Sequence, residues 1–322
     1  MRRRKFLTLL GSATIAWPLD GRAQPPSKMH RIGILLLDDA VTEPFLAELR
    51  ESLGKSGYVE GQNTHFEVRS ASGRLDLLPS LASELAASNV DVLVAIYTPS
   101  VLAAKRATSE IPIIFLAGDP VETGVVPSLA RPGANLTGLS TFAAELQAKC
   151  IELFHEMLPS VRRIAALGYA ADPFSKLFVQ HVQLAGRSTG IEVHPIIMLN
   201  GPNEVGGAFD AIEKARADAV VLQGSFATRH VAELALKHRL AAATSLPSFA
   251  DAGGLMSYGY QGTSLYRQLA VLVERVLRGT KPAEIPVEQP SKFELAVNLQ
   301  TAKALGLTIP ESFLARADKV TE

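Results

Sequence analysis

The feature that most constrains this chain is an alternation of strand-length apolar runs with helix-length amphipathic segments, written out twice. Residues 31–37 (RIGILLL) form an apolar run of strand length, and Glu43 to Ser56 carries a helical period that ends at Gly57. The unit then repeats: strand at 65–69, helix at 75–88, strand at 91–97, helix from Pro99 to Thr108, strand at 111–117. From Val161 the order starts again, with strands expected at 163–167, 191–197 and 217–223 and helices at 173–188, 203–215 and 228–240. Strands that alternate with helices demand right-handed crossovers and a parallel sheet covered on both faces. The two halves share a phrase, NVDVLVAI at 89–96 and RADAVVLQ at 216–223, each an Asp followed by an apolar run after a helix. A repeat this long is a second domain rather than a solenoid unit.

The expected fold class is therefore α/β, with two similar doubly wound parallel-sheet lobes joined by a hinge. Residues 265–277 read as one more amphipathic helix, followed by the proline-rich connector 281–290 and an alternating, half-buried strand at 293–299. That strand is expected to return to the first half. The division is then 29–142 plus 286–322 for lobe 1 and 143–285 for lobe 2, with chain crossings near 139–143 and 281–290.

The first residues read as an export address. Arg2, Arg3, Arg4 and Lys5 form a basic start, Phe6 to Leu19 an apolar stretch, and Gly21-Arg22-Ala23 a small-x-small site before Gln24. The order Arg3-Arg4-Lys5-Phe6-Leu7 is similar to a twin-arginine signal, with a general secretory signal as the alternative. The apolar stretch is shorter than the ~20 residues that cross a bilayer. Removing residues 1–23 takes five of the 32 basic residues and one of the 32 acidic ones, which leaves the chain near −4. That sign disfavours a nucleic-acid backbone as partner. The lone cysteine, Cys150, excludes an intrachain disulfide, and its stripe with Leu146, Leu153, Phe154 and Met157 places it on a buried helix face.

In open parallel sheets, ligands sit beyond the carboxyl ends of the strands. The loops expected there supply Asp38 and Asp39; Tyr97, Thr98, Pro99 and Ser100; Gly118 and Asp119; Tyr169; Gln223, Ser225 and Phe226; and, ahead of the last long helix, Tyr258. Hydroxyls, amides and aromatic rings suit gripping a small polar or aromatic molecule. The phosphate-loop, dinucleotide, nucleophile-elbow and zinc-helix motifs are missing, so no catalytic residue, metal or cofactor is expected. Ser52-Leu53-Gly54-Lys55 matches S-x-x-K but lacks its companion motifs. Asp119-Pro120-Val121-Glu122 reads as a helix cap, with ligand contact as the second role open to Asp119.

Long phrases across both halves, among them YTPS at 97–100, GDPVETG at 118–124, ARPGANLTGLS at 130–140, GGLMSYG at 253–259 and RGTKPAEIPVEQPSKFELAVNLQTAKALGLTIPE at 278–311, resemble the periplasmic solute-binding proteins of ABC transporters, in the family that includes aromatic-amino-acid binders. The resemblance implies a type I periplasmic-binding fold, a monomer that closes on a ligand between its lobes, and a membrane permease as partner. It also implies ligand contact through the loops holding Tyr97 to Ser100, Asp119, Tyr169 and Ser225. Amino-acid-binding members place an acid just after the second-lobe strand; Ser225 stands there in this chain, so the resemblance carries over no partner for an ammonium group. The competing readings are an exported hydrolase and a small-molecule sensor lobe pair. The sensor would need an N-terminal DNA-binding domain that residues 1–30 have no room for.

Overall fold

A computed structural model of the protein describes residues 28–39 and 41–322; the export leader expected at 1–23 lies outside the described residues. The first sheet comprises β1 (His30–Leu36), β2 (Thr64–Ser70), β3 (Val92–Ile96), β4 (Ile113–Gly118) and β5 (Leu136–Thr141). Its order is β2-β1-β3-β4-β5, all parallel. Helices α1 (Thr42–Lys55), α2 (Leu78–Ala87) and α3 (Thr98–Ala107) make the crossovers.

The chain then enters the second lobe through α4 (Ala143–Met157), followed by β6 (Arg163–Tyr169), α5 (Ser175–Thr189), β7 (Glu192–Leu199), α6 (Val205–Lys214), β8 (Ala219–Leu222), α7 (Arg229–Lys237), β9 (Ala241–Thr244), the single-turn α8 (Ser248–Asp251) and β10 (Met256–Tyr260). After α9 (Gly262–Leu277) come β11 (Phe293–Asn298), α10 (Leu299–Leu305), α11 (Glu311–Leu314) and β12 (Lys319–Thr321). The second sheet runs β12-β11-β10-β9-β8-β6-β7. Within it β7-β6-β8-β9-β10 repeats the order of the first sheet strand for strand, and β11 joins antiparallel to β10. The central strands β3, β8 and β9 are buried on both faces, as helices on either side of a parallel sheet require.

The shared phrase has a shared function in the backbone. Asn89 and Arg216 both turn the chain at φ 55°. Two residues on, Asp91 accepts a hydrogen bond from the Arg31 N–H (2.8 Å), and Asp218 accepts from the Arg162 and Arg163 N–H groups (2.8 and 2.9 Å). Each Asp thus satisfies the opening donor of the strand beside it and sets the register of its lobe.

The assignment of the last segments is corrected. β11 pairs with β10 of the second sheet, not with the first lobe, because its alternating residues cover the edge that β10 would otherwise leave open. α9 instead belongs to the first lobe. It packs on α1, where Arg267 Nε donates to Glu48 (2.8 Å), Glu274 accepts from Ser56 (2.6 Å) and Tyr266 meets Phe45 edge-on at 5.3 Å. The connector after α9 then lies along β5, with Ser140 N–H bonded to the Glu288 carbonyl and Glu288 N–H to the Gly138 carbonyl. The chain accordingly passes between lobes three times, after β5, after β10 and ahead of β11. Phe142 and Phe293 approach at these passages, with ring centres 6.3 Å apart.

Candidate functional site

The carboxyl ends of both sheets face a cavity of about 50 Å³ between the lobes, several times the ~10–15 Å³ that one water needs. Lobe 1 builds its side from the ends of β3 and β4. Tyr97 leaves β3 at φ 72°, ψ 145°, a conformation that L side chains rarely adopt and that costs on the order of 1–3 kcal/mol. The turn lets α3 start at once: Thr98 is already helical, and Pro99, which has no N–H to satisfy, occupies the first turn. No side chain caps α3, so the positive end of its dipole starts at Thr98, a lining residue of the cavity. Thr98 is buried, with its hydroxyl 3.4 Å from the Gly118 carbonyl.

Lobe 2 presents acceptors. Asp172, 8% exposed, lies in the β6–α5 loop; its Oδ1 accepts from the Phe174 N–H (2.9 Å). Burial pushes its carboxyl up to about 6, against the opposing pull of the Phe174 N–H. Gln147 on α4 is 1% exposed, and its Oε1 has no hydrogen-bond partner among the described residues. Phe174, Leu116, Leu246 and Tyr260 supply the apolar wall.

Of the residues expected in the site, Tyr97, Thr98, Gly118, Gln223 and Ser225 line this cavity. Gln223 is already occupied: its oxygen accepts from the Tyr169 N–H (2.9 Å) and its amide donates to Ser175 (2.8 Å). It fastens the ends of β6 and β8 together. Asp38, Asp39, Tyr169 and Phe226 line an outer cleft of about 400 Å³ that shares Ser225 with the inner cavity. There the Tyr169 and Phe226 rings stack at 4.3 Å, and buried Asp38 lies close enough to hold the Tyr97 and Tyr169 hydroxyls above their ordinary pKa, an effect secondary to burial.

The remaining expected residues fall elsewhere. Pro99 borders a neighbouring groove with Leu102 and Ala171, and Ser100 is wholly buried in the first turn of α3. Tyr258 stacks against Phe293 at a lobe crossing, and Tyr260, two residues on, reaches the cavity in its place. Asp119 is a cap, though of another helix than expected. Residues 120–124 make a turn, not a helix, and the Asp119 carboxylate accepts from the Ala144 N–H (3.1 Å) at the start of α4, across the first lobe crossing. Burial raises its carboxyl to about 6, with Glu122 and Glu145 adding to the rise.

Sequence reading missed Asp172, Phe174 and Gln147. Of the β6–α5 loop the sequence points only to Tyr169, three residues short of the acid. Gln147 had a visible signal, a buried-face position one turn before Cys150 on an otherwise apolar stripe. Among the described residues, no group of three or more His, Cys, Asp or Glu side chains could hold a metal ion, and no helix is long and apolar enough to cross a membrane.

Residues 38–321 match the family model described as ABC transporter substrate binding protein. A tyrosine-binding protein of Clostridioides difficile (strain R20291) is 28% identical over 296 residues, covering 87% of this chain and 82% of the relative. The crystal structure of an ABC domain from Streptococcus pneumoniae in complex with L-Trp superposes with a TM-score of 0.81 at 25% identity, covering 91% of this chain and 100% of that one. A conserved domain protein of Vibrio cholerae gives a TM-score of 0.82 at 27% identity, with the same coverage. The chain belongs to the ABC transporter substrate-binding proteins.

Proposed function

We propose that this ABC transporter substrate-binding protein captures a small amino-acid-like solute, with an apolar or aromatic side chain, in the cavity between its lobes. The observation that carries this reading is the uncapped start of α3 at the wall of the inter-lobe cavity, held there by the strained Tyr97. A helix start with free N–H groups is an anion site, which suits a carboxylate. The tyrosine-binding relative and the L-Trp complex support the ligand class. In this reading the first lobe is residues 30–141 with α9 and its connector, the second is 143–260 with 293–321, and closure bends the three crossings. The leader at 1–23 exports the chain to the periplasm, a membrane permease receives the solute, and one copy suffices because a single chain supplies both faces of the cavity. The site binds its solute and performs no chemistry on it.

The test is a thermal-shift screen of the mature chain against amino acids and their carboxylic-acid analogues, followed by calorimetry. A ligand at 100 times its dissociation constant stabilises the folded chain by about 2.7 kcal/mol. The expected result is a shift with an aromatic or branched amino acid and recovery of that molecule unaltered after long incubation. Conversion of the molecule to a product would overturn the binding reading.

A further inference from the structure

We infer that Asp172, assisted by Gln147, recognises an ammonium group on the ligand, so that the cavity holds an α-amino acid in one orientation, carboxylate on lobe 1 and ammonium on lobe 2. The inference deepens the proposed function and rests on that reading of the cavity. The position after the second-lobe strand, where the family resemblance would place an acid, is Ser225. The buried acid lies instead one strand over, in the β6–α5 loop.

Three observations converge on it. Asp172 is more than nine-tenths buried and lines the cavity, yet no Lys, Arg or His among the described residues pairs with it. Its Oδ1 is held by the Phe174 N–H, which leaves Oδ2 without a donor among the described residues. Gln147, on the same lobe and lining the same cavity, carries a buried acceptor, Oε1, that has no hydrogen-bond partner among the described residues. A buried carboxylate without a partner is costly, and an unmade hydrogen bond at a buried amide oxygen adds to that cost. A ligand with several N–H donors and a positive charge satisfies both atoms at once. The opposite wall brings the uncapped first turn of α3 and, beside it, the Thr98 hydroxyl, which donates only a long 3.4 Å bond to the Gly118 carbonyl. The separation of donors from acceptors matches the two ends of a zwitterion. A ligand with a second carboxylate would meet Asp172 as a like charge.

The test compares L-tyrosine, L-tryptophan, L-phenylalanine and L-leucine with their des-amino acids, 3-(4-hydroxyphenyl)propionate, 3-indolepropionate, 3-phenylpropionate and 4-methylpentanoate, by titration calorimetry. Asp172→Asn keeps the oxygen that caps Phe174 and removes only the charge. It should lower affinity for the preferred amino acid by roughly 10- to 100-fold, the range of a charge-assisted hydrogen bond, and leave the des-amino acid within about 3-fold of wild type. Gln147→Leu should narrow the same ratio to a smaller extent. Thr98→Ala should weaken amino acid and des-amino acid alike, which marks the carboxylate end. If Asp172→Asn leaves the amino-acid to des-amino-acid ratio at its wild-type value, the inference fails and the cavity reading stands. If wild type binds none of the four amino acids, both fail.

Discussion

The two lobes share one five-stranded topology and bring opposite chemistry to the cleft between them. The difference is set by where a helix begins. In the first lobe β3 passes through Tyr97 directly into α3, which no side chain caps. In the second lobe the equivalent strand, β8, passes into a short turn at Gly224–Phe226, and α7 starts only at Arg229, where the Thr228 hydroxyl accepts from the Val231 N–H (3.2 Å). One helix start is left open toward the cavity and its counterpart is closed by its own side chain. With its helix start spent, lobe 2 reaches the cavity through side chains, Asp172 and Gln147. A duplicated fold thus need not duplicate its site, because one backbone turn decides whether N–H groups or side chains face the ligand.

The largest expected effect comes from keeping the lobes apart. A Cβ on Gly118 would meet Ala143 Cβ at 3.0 Å and the Phe174 ring at 3.3 Å, both across the cleft. Gly118→Leu should therefore oppose closure by on the order of 1–3 kcal/mol, seen as a roughly 10- to 100-fold loss of affinity with secondary structure retained. Gly224→Ala is the control, since its added Cβ would meet only Tyr97 at an ordinary 3.9 Å. Equal losses from both substitutions would remove the steric account.

The acids give a pH signature of the second lobe. The Asp172 carboxyl titrates at about 6 in the folded chain, above the ordinary 3.8. Between those values the folded chain holds more protons than the unfolded one, so stability from this group is present below about 4 and is lost as pH rises through 6. Ligand-free Asp172→Asn should thus be more stable than wild type at pH 7, by on the order of 2 kcal/mol, and should lose that slope in a melting series from pH 4 to 7. Asp119 is raised in the same direction, with a smaller effect because it is less buried than Asp172. A variant that is stabler and binds worse is the trade-off expected of a group held for function.

The two helix starts can be tested against each other. Thr228→Ala removes a cap and should cost about 1 kcal/mol of stability with ligand affinity unchanged. Thr98→Ala should do the reverse, leaving the ligand-free melting temperature nearly unmoved and weakening binding by about 5- to 10-fold. Matching behaviour of the two would erase the contrast. The smallest effect is expected for Arg267→Ala, whose half-exposed guanidinium ties α9 to Glu48 on α1 and holds that carboxylate below its usual range. Its loss should lower stability only slightly, because the exposed pair is screened by solvent, with hydrogen exchange rising in α1 and α9 together.

The strand–helix alternation, the duplication and the loops at strand ends were legible from periodicity, because parallel strands under helices are apolar without interruption. β5 was not. Its sequence LTGLST is rich in Thr and Ser, and Gly138 is required because a Cβ there would sit 2.1 Å from the Phe115 carbonyl oxygen. The partners of α9 and β11 were misplaced since amphipathic patterning tells which face is buried and not which lobe buries it. Asp119 was legible as a cap by residue type, but the helix it caps begins 24 residues later and is reached only through the fold. Asp172 had no local signature beyond an Asp-Pro pair before a helix. Its burial is a property of the cleft between the lobes.

The most direct measurement is a crystal structure of the protein with the amino acid that gives the largest thermal shift. Its carboxylate should lie at the first turn of α3 within hydrogen-bond reach of Thr98, and its ammonium between Asp172 and Gln147, with both lobes in contact with one molecule. A ligand seated in the reverse orientation, or held by one lobe in the outer cleft beside Asp38, would contradict this arrangement.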